Sequence, residues 1–273
     1  MLTRRVLLVA LAVVLATGRI AVAQPSPLRV LTYNIHHGAG TDQRLDLVRI
    51  AEVIKQARPD LVALQEVDVR TQRSAGVDQA AELSRLTGMH GAFGKAMDYD
   101  GGQYGVAVLS RFPLIEVENF PLPNKPPRAP PAAGQREQIH EPRAALAVRV
   151  RPTGAPTDIW FASTHLDHLS SEMRICQAEK IGSSLAAKAN LPAILAGDLN
   201  ATPRSATMVL LSKFWADTAA KDPAPTAPAG EPRSKIDYVL YRPAEQWGTI
   251  EVRVLDEAVA SDHRPFLAVM EWQ

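Results

Sequence analysis

Six times along this 273-residue chain, an apolar, strand-like run stops in a polar cluster. The six are Thr32-Tyr33-Asn34, Leu64-Gln65-Glu66, Ser163-Thr164-His165, Gly197-Asp198-Leu199-Asn200, Lys235-Ile236-Asp237-Tyr238 and Ser261-Asp262-His263. Strand ends are rigid mounts for side chains aimed into one pocket. One such ending is an ordinary turn, whereas six in one chain are hard to explain as solvated turns.

The pattern between these endings alternates. Leu28 to Tyr33 is a β-rich run, and Leu45 to Ala57 carries apolar residues at helical spacing until Pro59 ends it. Leu61 to Leu64 reads as a short buried strand, and Asp78 to Leu86 as a helix closed by Gly88. Gly105–Leu109, Ile115–Phe120, Ala144–Val150 and Ile159–Ser163 read as strands. Ser170 to Ala189 is the longest predicted helix, capped by Ser170 or Ser171. Leu191–Ala196, Ile236–Tyr241, Ile250–Leu255 and Phe266–Met270 complete the strands. Strands outnumber helices, which predicts an α/β (α+β) four-layer sandwich: two packed mixed β-sheets flanked by helices. The proline-dense stretch Pro121–Pro142, with Lys125, Arg128, Arg136, Glu137 and His140, cannot sustain a ladder and is expected to be a flap near the site.

The first 23 residues read as a signal peptide, with Arg4 and Arg5, then the apolar Val6–Ala16, then Ala21-Val22-Ala23 before Gln24. The apolar run is shorter than the roughly 20 residues a bilayer needs, and no later segment approaches that length. Export to the periplasm or medium, cleavage near Ala23 and a single domain over 24–273 are expected. The leader removes Arg4, Arg5 and Arg19 and no acid, which leaves 29 acidic residues in slight excess. A general nucleic-acid binder carries a basic excess, and this chain has none. The single Cys176 excludes an intramolecular disulfide and a cysteine zinc site; its helical surroundings predict a buried structural thiol.

The polar inventory points to a reaction. Glu66, Asp198 and Asp262 are hard oxygen ligands, with Asn34 and Asn200 as neutral oxygen donors, and such a set suits Mg²⁺, Mn²⁺ or Ca²⁺. His165 and His263 can move protons near neutral pH. A phosphodiester needs all of these: a cation against the phosphoryl oxygens, a base for water, and help for the departing oxygen. Bland readings stand beside this one. Asn34 can cap a turn, and Asp198 with Asn200 can form an Asx turn. Asp237 is harder to dismiss, because a carboxylate between buried positions needs a partner. His36 and His37 read as pocket rim or as exposed loop residues, and Asp167 and His168 as extra ligands or substrate contacts. Lys95, Asp98, Tyr99 and Tyr104 surround a glycine-rich turn that can touch substrate. Arg174 reads as a solvated helix residue, and His90 and His140 belong to no constellation.

The ordered set Asn34, Gln65-Glu66, Gly101-Gly102-Gln103-Tyr104-Gly105 before Leu109-Ser110-Arg111, Thr164-His165-Leu166, Gly197-Asp198-Leu199-Asn200, Ile236-Asp237-Tyr238 and Ser261-Asp262-His263 resembles the endonuclease/exonuclease/phosphatase superfamily from about residue 28 to 273. The resemblance implies a divalent-metal-dependent phosphoester hydrolase. In it, Glu66 would be the principal metal ligand beside Asn34, with Asp262 in the metal shell. His263 would be the general base, oriented by Asp237. Asp198 and Asn200 would hold phosphate, water or a second metal. His165 would protonate the leaving group or bind phosphate, Arg143 would bind phosphate, and Tyr104 would contact substrate. The expected substrate is a phosphoester of nucleic-acid, phospholipid or inositol-phosphate type; a monomer with no obligate protein partner is expected. A phosphodiesterase leads, a sphingomyelinase-like hydrolase is the alternative, and a catalytically silent secreted binding module or a structural calcium protein are the readings from other classes.

Overall fold

The computed structural model describes residues 26–125, 139–188 and 191–273. The signal segment, Arg128, Arg136 and Glu137 of the expected flap, and the Ala189 end of the long helix lie outside the described residues. Two six-stranded sheets carry the architecture. The first contains β1 (Leu28–Asn34), β2 (Leu61–Val69), β3 (His90–Tyr99), β4 (Gly102–Ser110), β11 (Trp247–Val254) and β12 (Phe266–Trp272), in the order β11-β12-β1-β2-β4-β3. The second contains β5 (Glu116–Pro121), β6 (Ala144–Val150), β7 (Ile159–His165), β8 (Ala193–Asp198), β9 (Ala216–Asp217) and β10 (Asp237–Arg242), in the order β5-β6-β7-β8-β10-β9. Each sheet has one parallel pair at its centre, β1 with β2 and β7 with β8, and antiparallel neighbours elsewhere. Both sheets are therefore mixed, as expected.

Each parallel pair needs a crossover, and a helix supplies it. The helix α1 (Leu47–Ala57) links β1 to β2, and α3 (Ser171–Ala186) links β7 to β8. Two shorter helices, α2 (Gln79–Thr87) and α4 (Ala206–Leu211), sit beside them. Alternation along the strands produces three apolar layers. Val30, Leu61 and Val108 of the first sheet meet Val148, Phe161, Ile194 and Val239 of the second in the central core. Leu31, Val62 and Leu64 face outward against Ile50, Ile54 and Leu83 of α1 and α2. Trp160 and Leu195 face outward against Ile181, Leu185 and Met208 of α3 and α4. A fully buried aliphatic side chain contributes about 1.5–3 kcal/mol, so these layers dominate the stability.

Helix ends follow local chemistry. Asp46, Asp78, Ser170 and Ser205 each accept a hydrogen bond from the backbone three residues on. Asp46 places the start of α1 at Leu47, two residues after the apolar pattern begins, and Leu45 is exposed. Gly88 closes α2 in the left-handed conformation. Three expectations change. β2 runs to Val69, well past Leu64, because a bulge between Gln65 and Val67 lets the strand continue through its polar residues. β3 is an edge strand that the pattern concealed, since Gly91, Gly94 and alternating polar residues interrupt its apolar face. Cys176 is half-buried, because α3 turns Met173, Gln177, Ala178, Ile181 and Leu185 inward instead. No helix among the described residues is long and apolar enough to cross a membrane.

Candidate active site

The ends of the central strands meet at one edge of the sandwich. β1 ends at Asn34 in the first sheet, and in the second β7 ends at His165 and β8 at Asp198. His165 pairs with Asp198 across the parallel ladder, and Asp237, the first residue of β10, pairs with Asp198 on the other side. Gly197 makes this approach possible: a Cβ there would lie 2.0 Å from the Thr164 carbonyl oxygen. In the first sheet the bulge turns Glu66 toward the other strand ends, with a left-handed φ of 58°. Its neighbour Gln65 stays in the space between the sheets, where Thr32 Oγ1 donates to its Oε1 and its Nε2 donates to Ser163 Oγ, both at 3.3 Å.

Hydrogen bonds join the two halves. Asn34 Nδ2 donates to Glu66 Oε1 at 2.9 Å and to Asp198 Oδ2 at 3.2 Å, so one amide ties a carboxylate of each sheet. The Ser261-Asp262-His263 turn is fastened to β1 by Ser261 Oγ, which donates to the Asn34 carbonyl at 2.7 Å. That turn sets His263 Nδ1 3.0 Å from Asp237 Oδ2 and His263 Nε2 3.7 Å from Asp198 Oδ2. Asn200 Nδ2 donates to His165 Nε2 at 3.0 Å and to the Leu166 carbonyl at 3.1 Å. With Nε2 accepting, the His165 proton belongs on Nδ1.

The electrostatics follow from burial of like charges. Burial, then the Asp237 charge, pushes the Asp198 carboxyl up to about 7. Burial alone would lower His263, but the carboxylates of Asp237 and Asp198 outweigh it and hold the imidazole up to about 10. Burial and the charges of Arg143 and His263 keep His165 well below the usual histidine range, hence neutral. Asp237 Oδ1 is buried and has no hydrogen-bond partner among the described residues. Two buried carboxylates with ligand atoms within 4.8 Å, one with an unpartnered oxygen, and a third carboxylate tied to Asp198 through Asn34 make an oxygen-rich cluster. Such a donor set fits a divalent cation. Among the described residues, ligand atoms of Asp198, Asp237 and His263 lie within 4.8 Å of one another, and so do those of His36, His37 and Glu66.

A cavity of about 320 Å³ opens onto Glu66, His165, Asp198, Asn200 and His263. Arg143, only 4% exposed, lines it; its Nη1 stands 3.5 Å from Glu141 Oε1 as an ion pair, and its Nε has no hydrogen-bond partner among the described residues. A buried guanidinium with a donor to spare on a cavity wall suits an anion. Tyr104 lines the wall, and Arg73 lies over Tyr104 and Tyr99 while bonding both oxygens of Asp68. A larger groove, about 450 Å³, runs between α3 and α4 and holds none of these groups.

The structure thus gathers Asn34, Glu66, Tyr104, Arg143, His165, Asp198, Asn200, Asp237 and His263. Asp262 is adjacent and half-buried, but it is not in the cavity wall. Asp167 is fully buried away from the cavity, accepting from Leu169 N, Ser170 N and His140 Nδ1. Lys95 and Asp98 pair with each other at the surface, and Arg174 donates to the Asp167 carbonyl. Sequence reasoning missed Arg73, Met97 and Glu141 in the wall, and the His140–Asp167 pair that pins the end of the proline-rich stretch. The pair joins residues 27 apart and leaves no local pattern. His168 reaches the wall and approaches Arg143 Nη2 at 3.3 Å.

Two mixed sheets with acids, amides and a carboxylate-held histidine at their strand ends define a class of α/β sandwich built around one acidic, anion-accepting cleft. Within that class, the chain belongs to the Endonuclease/Exonuclease/phosphatase family, whose sequence profile it matches over residues 31–263. Members of this family are hydrolases acting on phosphoester bonds. Similar solved structures include an endonuclease/exonuclease/phosphatase from Beutenbergia cavernae DSM 12333, at 28% identity and TM-score 0.73, covering 90% of this chain and 72% of that one. The mannosyl-6-phosphatase Bt3783 of Bacteroides thetaiotaomicron VPI-5482 shares the fold at 22% identity and TM-score 0.70, covering 89% of this chain and 99% of that one. So does the human Nocturnin catalytic domain with bound sulfate anion, at 20% identity and TM-score 0.68, covering 91% and 94% respectively. No curated protein sequence matches the chain.

Proposed function

We propose that this protein is an exported phosphodiesterase that uses a divalent cation, Mg²⁺ or Mn²⁺, with Ca²⁺ as a weaker option. The observation that carries the reading is the line Asp237–His263–Asp198, joined through Asn34 to Glu66 and facing the cavity with Arg143. Glu66, Asn34 and Asp198 would hold the cation, with Asp262 close by, and the bound cation would supply charge stabilisation to the phosphoryl oxygens.

The residues divide the remaining work. Asp237 accepts from His263 Nδ1, which leaves Nε2 toward the cavity to take a proton from water. Asp237 first and Asp198 second raise the affinity of His263 for that proton, so a cation held on Asp198 would lower that affinity by offsetting its charge. Arg143 offers its guanidinium, with Nε the donor to spare, to the phosphate. Asn200 positions phosphate or water, anchored by its bonds to His165 and Leu166. A neutral His165 acts by orienting Asn200 and lining the cleft, since burial disfavours the imidazolium a proton donor needs. Tyr104 forms an apolar wall for the alcohol portion.

A phosphomonoester is the second reading, favoured by the buried guanidinium of Arg143 on the cavity wall, whose charge complements a dianion better than a monoanion. The test is a metal-supplemented screen of the purified mature protein. Bis-p-nitrophenyl phosphate and p-nitrophenyl phosphate would be compared side by side, followed by plasmid DNA, RNA, sphingomyelin, glycerophospholipids and inositol phosphates. Faster turnover of the diester supports the leading reading, and preference for the monoester reverses the order. No turnover of any phosphoester with Mg²⁺ or Mn²⁺ would leave the silent binding module standing. Export is tested by sequencing the N-terminus of the processed protein: Gln24 is expected first, and an intact Met1 in the extracytoplasmic fraction contradicts cleavage.

A further inference from the structure

The segment after β1 contains a feature the mechanism above does not use. In extended chain, consecutive side chains point to opposite sides. His36 and His37 do not obey this, because both adopt left-handed backbone, at φ 46° and 45°, in the one-turn segment His36–Gly38. Their rings consequently lie on the same side, with centroids 4.5 Å apart. Glu66, itself at φ 58°, completes a group whose three ligand atoms lie within 4.8 Å of one another.

Two details concern the ring nitrogens. His36 Nδ1 lies 3.1 Å from the Ala39 carbonyl oxygen, which can only accept, so the proton sits on Nδ1 and the lone pair on Nε2. Holding one imidazole N–H on a backbone carbonyl is how proteins orient a histidine that binds metal through its other nitrogen. His37 Nδ1 is buried and has no hydrogen-bond partner among the described residues, although the residue's backbone is held by Gln79 Nε2, which donates to its carbonyl at 2.6 Å. A buried imidazole nitrogen without a partner, on a residue grouped with a second imidazole and a carboxylate, fits cation binding.

We propose that His36, His37 and Glu66 form a second cation site that takes a transition metal of the Zn²⁺ type in preference to Mg²⁺. Two imidazoles and one carboxylate are a borderline donor set, preferred by zinc and its neighbours, whereas Mg²⁺ prefers oxygen alone. Two histidines and one glutamate also form the set of catalytic zinc sites, which keep one position open. Because Glu66 lines the cavity as well, the ion stands at the cleft on the first-sheet side, while Asp198 and Asp237 stand on the second-sheet side and His263 reaches them from the turn between β11 and β12. The proposal rests on Glu66 being a cation ligand and adds the two histidines and the class of metal.

The experiment uses the full mature chain with Zn²⁺ alone and Cu²⁺ alone as probes. Zn²⁺ affinity is read by competition with a chromophoric chelator, and Cu²⁺ ligation by nitrogen couplings in electron paramagnetic resonance. The variants are His36→Asn, His37→Asn, their combination, Glu66→Gln, His263→Ala and the exposed control His90→Asn. Asparagine tolerates left-handed backbone better than histidine does, so the loop variants keep the fold, which circular dichroism checks. The expected result is two nitrogen couplings in the unmodified protein, lost in the His36/His37 double variant, with Zn²⁺ affinity reduced at least 100-fold there and unchanged in His90→Asn. The absence of nitrogen couplings in the unmodified protein would overturn the proposal. So would Zn²⁺ affinity in the double variant within threefold of the original, or couplings that vanish only in His263→Ala. If Glu66→Gln alone abolishes cation binding and the histidine variants do not, the phosphoesterase reading stands and this inference falls.

Discussion

At the residue scale, the site places groups whose charges oppose one another in contact, and this makes stability depend on pH in a definite direction. Asp198 rises from an ordinary 3.8 to about 7 on folding, so its contribution is complete below about 4 and disappears as pH climbs through 7. His263 rises from 6.5 to about 10, so its contribution is complete below 6.5 and disappears as pH climbs through 10. The metal-free protein should therefore lose melting temperature as pH rises from 4 to 10. Asp198→Asn should flatten the lower part of that fall and His263→Gln the upper part. At pH 8 in EDTA, Asp198→Asn should melt no lower than the unmodified protein while showing no hydrolysis. Melting curves at pH 5, 7 and 9 check this; equal pH dependence in all three proteins would contradict it. The residues most legible in the sequence were Asn34 and Asp198, which end strands, whereas Asp237 opens β10 and His263 sits in the turn before β12, so their polar clusters and not a strand end marked them. Arg73 and Glu141 were not legible, because their place in the wall comes from chain packing that no local pattern records.

At the element scale, two local irregularities set the site. Gly197 lets β7 and β8 close up so that His165 and Asp198 stand side by side. Gly197→Ala places a methyl group against the Thr164 backbone and should cost about 1–3 kcal/mol of stability. It should also lower turnover at least tenfold by moving Asp198, as denaturant melts and steady-state rates will show. A change of stability without any change of rate would mean that Asp198 is not held by this approach. The bulge at Glu66 is the second irregularity, because strict alternation would send adjacent residues Gln65 and Glu66 to opposite faces. The polar residues after Leu64 looked like the end of the strand, but hydrogen bonding to β4 resumes beyond the bulge. The start of α3 was readable from its cap, Ser170, whereas α1 and α2 begin two and one residues later than their apolar patterns, because Asp46 and Asp78 cap them. β3 was not, because an edge strand with glycines and one solvated face lacks the run of apolar residues that marks a central strand.

For the whole molecule, the two sheets repeat one plan, a parallel central pair with its crossover helix on the outside. The central core holds the sheets face to face and thereby brings strand ends from distant parts of the chain to one cleft. This much could be expected from alternation and strand count, since doubly covered strands need apolar partners on both faces. The joining of Glu66 to Asp198 through Asn34 links three positions from both sheets and could not be read from spacing. The central claim is that this convergence hydrolyses phosphoesters with a cation. Its most direct test is the hydrolysis rate of bis-p-nitrophenyl phosphate by protein stripped with EDTA, then reloaded with Mg²⁺ or Mn²⁺, next to folded His263→Ala under the same conditions. The rate should fall to background on stripping and return on reloading, while His263→Ala should remain about 10²- to 10⁴-fold slower. Turnover that survives EDTA, or a histidine variant as fast as the original, would contradict the account.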